Sequence, residues 1–119
     1  MRRDEAYLLD MRIACRNALR FADGVTWERF SSDTMVQHAV FHAVQTVGEA
    51  ARKVSADFQS RHPEIPWVSI TTMRHRLVHD YFKIKLDKVW DVVQFHLPEL
   101  MGLLEPLIPP DEPAEESSP

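Results

Sequence analysis

The residues best suited to chemistry lie close together. Arg74, His75, His79 and Tyr81 fall within eight consecutive positions. Imidazole titrates near neutral pH, so a histidine can take the proton of a ribose 2′-hydroxyl, and another can protonate the leaving oxygen. A guanidinium stabilises charge that builds on phosphoryl oxygens in the transition state. Arginine plus histidine therefore suits phosphodiester transesterification without a metal. Arg74 and His79 are the candidate catalytic pair, and His75 is a further acid–base candidate.

These residues need an element to position them. Ile65 to Phe82 reads as a helix starting at Pro66 or Trp67, where proline is tolerated at the first position. At about 100° per residue, Trp67, Ile70, Leu77, Val78 and Tyr81 share one apolar stripe. Arg74 falls in that stripe and must be paired, line a cleft, or face an interface, because an unpaired buried charge is costly. His79 lies about 140° from Arg74 around an ideal helix. A straight helix does not bring both to one phosphate. Either the helix ends near Val78 and His79 swings round, or two copies of the chain face a shared cleft. In a two-fold homodimer, the two copies of His79 can divide the acid and base roles.

Residues 74–88 carry five basic and two acidic side chains, a local charge of +3. Arg76, Lys83 and Lys85 are candidate RNA contacts, and Tyr81 and Phe82 between them can stack on unpaired bases. The whole chain of 119 residues has net charge −4. Five acids and no Lys or Arg lie between Glu105 and Pro119, so residues 1–104 carry +1. The overall negative charge therefore does not exclude a nucleic-acid partner. The composition predicts a helical domain over 1–107 and an acidic, Pro-rich disordered tail over 108–119.

Elsewhere the pattern is also helical. Leu8, Met11, Cys15, Ala18, Leu19 and Ala22 recur at steps of three and four, predicting a helix over about 4–22. Thr26 to Phe30 reads as one short turn. Asp33 is an N-cap candidate for a second long helix with Val36, Val40, Ala43, Val47, Ala50 and Val54 inward. Its other face carries His38, His42, Gln45, Glu49 and Arg52. A last helix begins after Asp87, with Trp90, Val93, Leu97, Leu100, Leu104 and Leu107 inward, and Pro98 should kink or split it. No segment alternates with the period of a strand. The expected fold is all-α, an up-and-down bundle of four to five helices.

Composition removes several function classes. Three isolated glycines cannot build a phosphate loop or dinucleotide fingerprint. Cys15 is the single cysteine, which excludes a disulfide framework and a Cys-based zinc site and suits a reducing cytoplasm. No apolar run approaches the roughly 20 residues of a membrane span. Met1 to Glu5 lacks a signal-peptide core. The expected location is the cytoplasm, with no membrane partner.

Arg74-x4-His79-x-Tyr81 resembles the signature of HepT-like proteins of the HEPN superfamily. Further landmarks agree: Gly48-Glu49-Ala50-Ala51, Ile65-Pro66-Trp67, Met73-Arg74-x-Arg76-Leu77, Tyr81-Phe82, Val89-Trp90 and Leu97-Pro98. The resemblance covers about residues 4–107. It implies a HEPN-like helical homodimer with a composite site at the dimer cleft. It implies a metal-independent endoribonuclease needing no cofactor, the toxin of a prokaryotic type VII toxin–antitoxin pair, with tRNA among the candidate substrates. It implies a nucleotidyltransferase antitoxin of the MntA kind, which uses ATP to place AMP on the motif tyrosine, here Tyr81. The position after the arginine is often asparagine in that family and is His75 here.

Plainer roles compete with these. Arg74 can be a structural arginine paired with Glu49 or another carboxylate. His79 can be a helix C-cap, Tyr81 a core or interface residue, and His75 a surface residue. His38 and His42 have metal-like spacing without a third ligand, which favours a solvated or interface face. Trp67 and Trp90 read as core anchors and Cys15 as inert packing. A non-catalytic HEPN module, binding a nucleotide or a nucleotidyltransferase partner, is the main rival function, and a purely structural helical dimer is a third.

Overall fold

A computed structural model of the chain describes residues 3–80 and 83–109. Helix α1 spans Asp4–Phe21. It stops before Gly24, whose φ of 73° turns the chain through a conformation that suits glycine. The short α2 is Trp27–Ser32 and is capped by the Thr26 hydroxyl. Helix α3 is Thr34–Lys53, and its expected cap holds: the Asp33 carboxylate accepts from Val36 N.

A six-residue helix, α4 (Ala56–Arg61), follows Ser55, whose hydroxyl accepts from Phe58 N. No stripe in the sequence announced it, because none of its residues is buried. Helix α5 is Trp67–His79, starting at the second of the two expected positions, with Pro66 at the N-cap. Helix α6 (Leu86–Asp91) leads into a π-helical turn at Val92–His96 and then α7 (Leu97–Leu104). A 3₁₀ turn at Glu105–Leu107 closes the domain.

The last segment shows how the chain meets the expected kink or split at Pro98: a π-helical turn interrupts the α-helix between Asp91 and Leu97. Proline lacks an N–H and its ring collides with the carbonyl four residues back in a regular α-helix. One wider turn absorbs this, with Leu97 N–H bonding to Val92 O, five residues back. The helical course therefore continues past Pro98.

The long helices run up and down. Both oxygens of Asp4 at the start of α1 take Ser55, by its N–H at 2.8 Å and its hydroxyl at 2.7 Å, just past the end of α3. Helix α3 then packs antiparallel to α5, since Gly48 meets Arg74 and Gln45 meets Leu77. Helix α7 packs against α1. The all-α bundle is thus observed, and among the described residues three of its helices, α2, α4 and α6, are only six residues long.

One core runs through all of these elements. Leu8, Met11, Cys15, Ala18, Phe30, Val40, Ala51, Val89 and Leu104 are fully buried. Phe30 and Trp90 pack as a tilted ring pair with centroids 4.9 Å apart and tie α2 to α6, with Trp27 on their flank. The Cys15 thiol sits in this core, where burial pushes its pKa up to about 12. It is packing and not a nucleophile. Ile108, on the tail side of the expected boundary, is also buried. The rest of the tail, from residue 110, lies outside the described residues. Among the described residues, no helix is long and apolar enough to cross a membrane.

Candidate active site

Helix α5 presents three faces, and the candidate residues divide among them. Trp67, Ile70, Arg74 and Leu77 turn toward the bundle, with Trp67 and Leu77 buried and Ile70 half-buried. Val78, expected in that stripe, is instead 42% exposed. A second face, Met73, Arg76 and Asp80, turns toward α6. The third carries His75 and His79, both exposed.

Arg74 rests in a notch prepared by α3. A Cβ added to Gly48 would collide with Arg74 Cβ and Cγ, so only glycine lets the two helices approach this closely. One residue on, Glu49 Oε2 lies 3.0 Å from Arg74 Nη2. The contact is an ion pair without hydrogen-bond alignment, since Oε2 accepts no hydrogen bond although it is shielded from solvent. Glu49 Oε1 takes Arg52 Nη2 at 2.8 Å, with Lys53 Nζ at 3.8 Å. The Arg52 hydrogen bond first, then the charges of Arg52, Arg74 and Lys53, hold the Glu49 carboxyl below the usual carboxylate range. Glu49 therefore stays ionised at neutral pH. The Arg74 side chain is 27% exposed, so part of its donor fork faces outward.

A third α3 residue fixes the end of α5. Gln45 Nε2 donates to Leu77 O at 3.3 Å. That carbonyl is one of the four a helix leaves without an internal partner at its C-terminus. Gln45, Gly48 and Glu49 follow a three-and-four spacing, so one face of α3 holds the register of α5 from beneath. In the sequence Gln45 lies on the polar face of α3 with no local signal of a role. Its partner is a backbone carbonyl 32 residues away, which no local pattern shows.

His75 and His79 stand one turn apart with ring centroids 4.5 Å from each other. The helix runs through His79 and is capped by Asp80, whose N–H donates to Arg76 O at 2.8 Å. The helix thus ends one residue beyond Val78, and the His79 ring lies beside His75 rather than beside Arg74. Within one chain, α5 groups His75 with His79 and sends Arg74 to Glu49. The Tyr81 and Phe82 expectations lie outside the described residues.

Arg76, Lys83 and Lys85, expected as RNA contacts, do share a site. They line an open cavity of about 400 Å³ between α5 and α6, together with Met73, Asp80, Ile84, Lys88 and Val89. Lys88 is an addition from α6. His38 and His42 remain exposed, and no group of three metal-type ligands converges among the described residues.

Comparison with known proteins decides the family. Residues 11–107 match the model of the Ribonuclease HepT-like family. The chain belongs to that family. Its relatives include "Probable ribonuclease HepT" of Thermococcus cleftensis, 36% identical over 101 residues, which span 85% of this chain and 92% of that one. "Putative RNase MJ0127" of Methanocaldococcus jannaschii is 29% identical over 113 residues, 95% of this chain and 93% of its own. No solved structure matches. The HepT-like match includes α3 from end to end, all of α5 and the α6–α7 rod, so the bed beneath Arg74 and the histidine face both lie inside it.

Proposed function

We propose that this protein is a metal-independent endoribonuclease, the toxin of a toxin–antitoxin pair, working as a homodimer. The observation that carries this reading is α5 itself: a HepT-like chain holds Arg74 on one face and an exposed imidazole pair on the next. Two copies facing across a two-fold axis would set Arg74 of one protomer opposite His79 of the other. One imidazole takes the proton of the ribose 2′-hydroxyl, whose oxygen attacks phosphorus. The bond to the 5′-oxygen breaks, and a second imidazole protonates that oxygen. Arg74 stabilises the charge on the non-bridging oxygens. The products are a 2′,3′-cyclic phosphate and a 5′-hydroxyl. No step calls for a metal or cofactor.

The test is cleavage of a labelled single-stranded RNA, tRNA included, by purified protein in excess EDTA. Fragments with 5′-hydroxyl ends are expected. Fragments with 5′-phosphates, or cleavage that stops in EDTA, would contradict the mechanism.

Silencing would act on Tyr81. A nucleotidyltransferase antitoxin of the MntA kind would transfer AMP from ATP to its phenolic oxygen and release pyrophosphate. Incubation of the chain with its nucleotidyltransferase and ATP should add AMP-sized mass to wild type and none to Tyr81→Phe. A gain that survives Tyr81→Phe moves the acceptor elsewhere.

The Arg74–Glu49 ion pair favours one rival. It supplies a structural reason for Arg74 that needs no substrate, as in a non-catalytic subunit that binds a nucleotide or a nucleotidyltransferase. That rival predicts no RNA cleavage by wild type, and equal behaviour of Arg74 and His79 variants.

A further inference from the structure

Among the described residues, the cations at the α5–α6 corner form no ion pair. Among the described residues, Arg29, Arg52 and Arg61 each hold an acid three or four residues away. Arg76, Lys83, Lys85 and Lys88 hold none, although all four line the same cavity. Like charges gathered in one concavity raise its positive potential and draw in an anion. Met73, Ile84 and Val89 add an apolar lining, and Asp80 is the one acid. A site for a bare inorganic anion gains nothing from that lining and is opposed by that acid. A nucleotide uses every part: phosphate against the cations, base against the apolar side chains, and a base N–H donating to the Asp80 carboxylate.

We propose that this cavity is a nucleotide subsite on the RNA path, holding one unpaired nucleotide beside the scissile bond. It lies on the Met73–Arg76–Asp80 face of α5 and not on the histidine face, so its phosphate is a neighbour of the one that reacts. The subsite rests on the ribonuclease reading for its ligand, yet it can be tested without cleavage. Its size suits a single nucleotide, and the cation count makes its grip salt-dependent.

The experiment uses the full chain carrying His79→Ala, so that RNA survives, with 5′-GMP, inorganic phosphate and a single-stranded hexaribonucleotide as probes. Amide shifts are followed by NMR and affinities by calorimetry across a salt series. The expected result is that 5′-GMP shifts the amides of Met73, Ile84 and Val89, binds more tightly than phosphate, and is displaced by the hexaribonucleotide. Replacing both Lys85 and Lys88 by serine should weaken RNA binding at least about tenfold and flatten its salt slope by roughly 0.7 per lost phosphate contact. The subsite is overturned if 5′-GMP binds no better than phosphate, if RNA does not displace it, or if the double variant binds RNA as its parent does. Wild type that cuts no RNA, with 5′-GMP and RNA still competing for the cavity, would remove the ribonuclease reading and leave the subsite standing.

Discussion

His79→Ala is expected to slow RNA cleavage by about 10²–10⁴-fold, the usual worth of a positioned acid or base. The fold should barely register the change. His79 is exposed in the last turn of α5, and the helix ends there on the Asp80 N–H and the Gln45 bond to Leu77 O, not on an imidazole contact. Exposed substitutions of this kind stay within roughly 0.5 kcal/mol. The discriminating pattern is a rate that collapses while thermal melting stays put. His75→Ala should cost less, because its ring, tilted against His79, is only the supplementary acid–base candidate. Initial rates on single-stranded RNA, with melting curves of both variants, check this. A His79→Ala rate equal to wild type would remove that residue from the chemistry.

Arg74→Ala is expected to lower kcat by about 10²–10³-fold, the scale of losing one donor aimed at developing charge. Its structural cost should be small. The alanine keeps the Cβ that fills the Gly48 notch, and Glu49 keeps Arg52 and Lys53 as partners. A partly exposed ion pair contributes only about 0–1 kcal/mol. Arg74→Lys preserves charge and stem but loses the planar fork, so it should recover little of the rate. If Arg74 were only a strut between α5 and α3, lysine would rescue stability and activity together. Melting and kcat measured on the same two variants separate these roles.

The parts of the molecule legible in its sequence are those set by local rules. Helices α1 and α3 follow from steps of three and four, and the start of α3 from the Asp33 cap. The start of α5 beside Pro66 follows from how proline enters helices. Helix α4 escaped because six residues with none buried leave no periodic trace. The π turn escaped because Val93, Leu97, Leu100 and Leu104 keep ordinary helical spacing across it, and only the Leu97-to-Val92 bond reveals the wider turn. In the site, a charge misplaced in an apolar stripe marks Arg74, and Glu49 is one of the carboxylates open to it as a partner. What joins distant parts was harder to read. Gln45 beneath the last turn of α5, and Lys88 joining Arg76, Lys83 and Lys85, depend on how helices dock and not on any run of residues.

The same geometry shapes the central claim. One α5 carries Arg74 and His79 about 140° apart on an ideal helix, and here it stays helical through both. The proposed function therefore draws these two residues of one catalytic centre from two chains. Mixing purified Arg74→Ala with His79→Ala, after dissociation and re-association, tests this directly through RNA cleavage. Each variant alone carries no complete site. Statistical exchange makes half of the dimers mixed, each with one Arg74–His79 pair intact; with the adjacent His75 as the second imidazole, roughly a quarter of wild-type activity should return. A mixture as inactive as its two components would contradict the composite site.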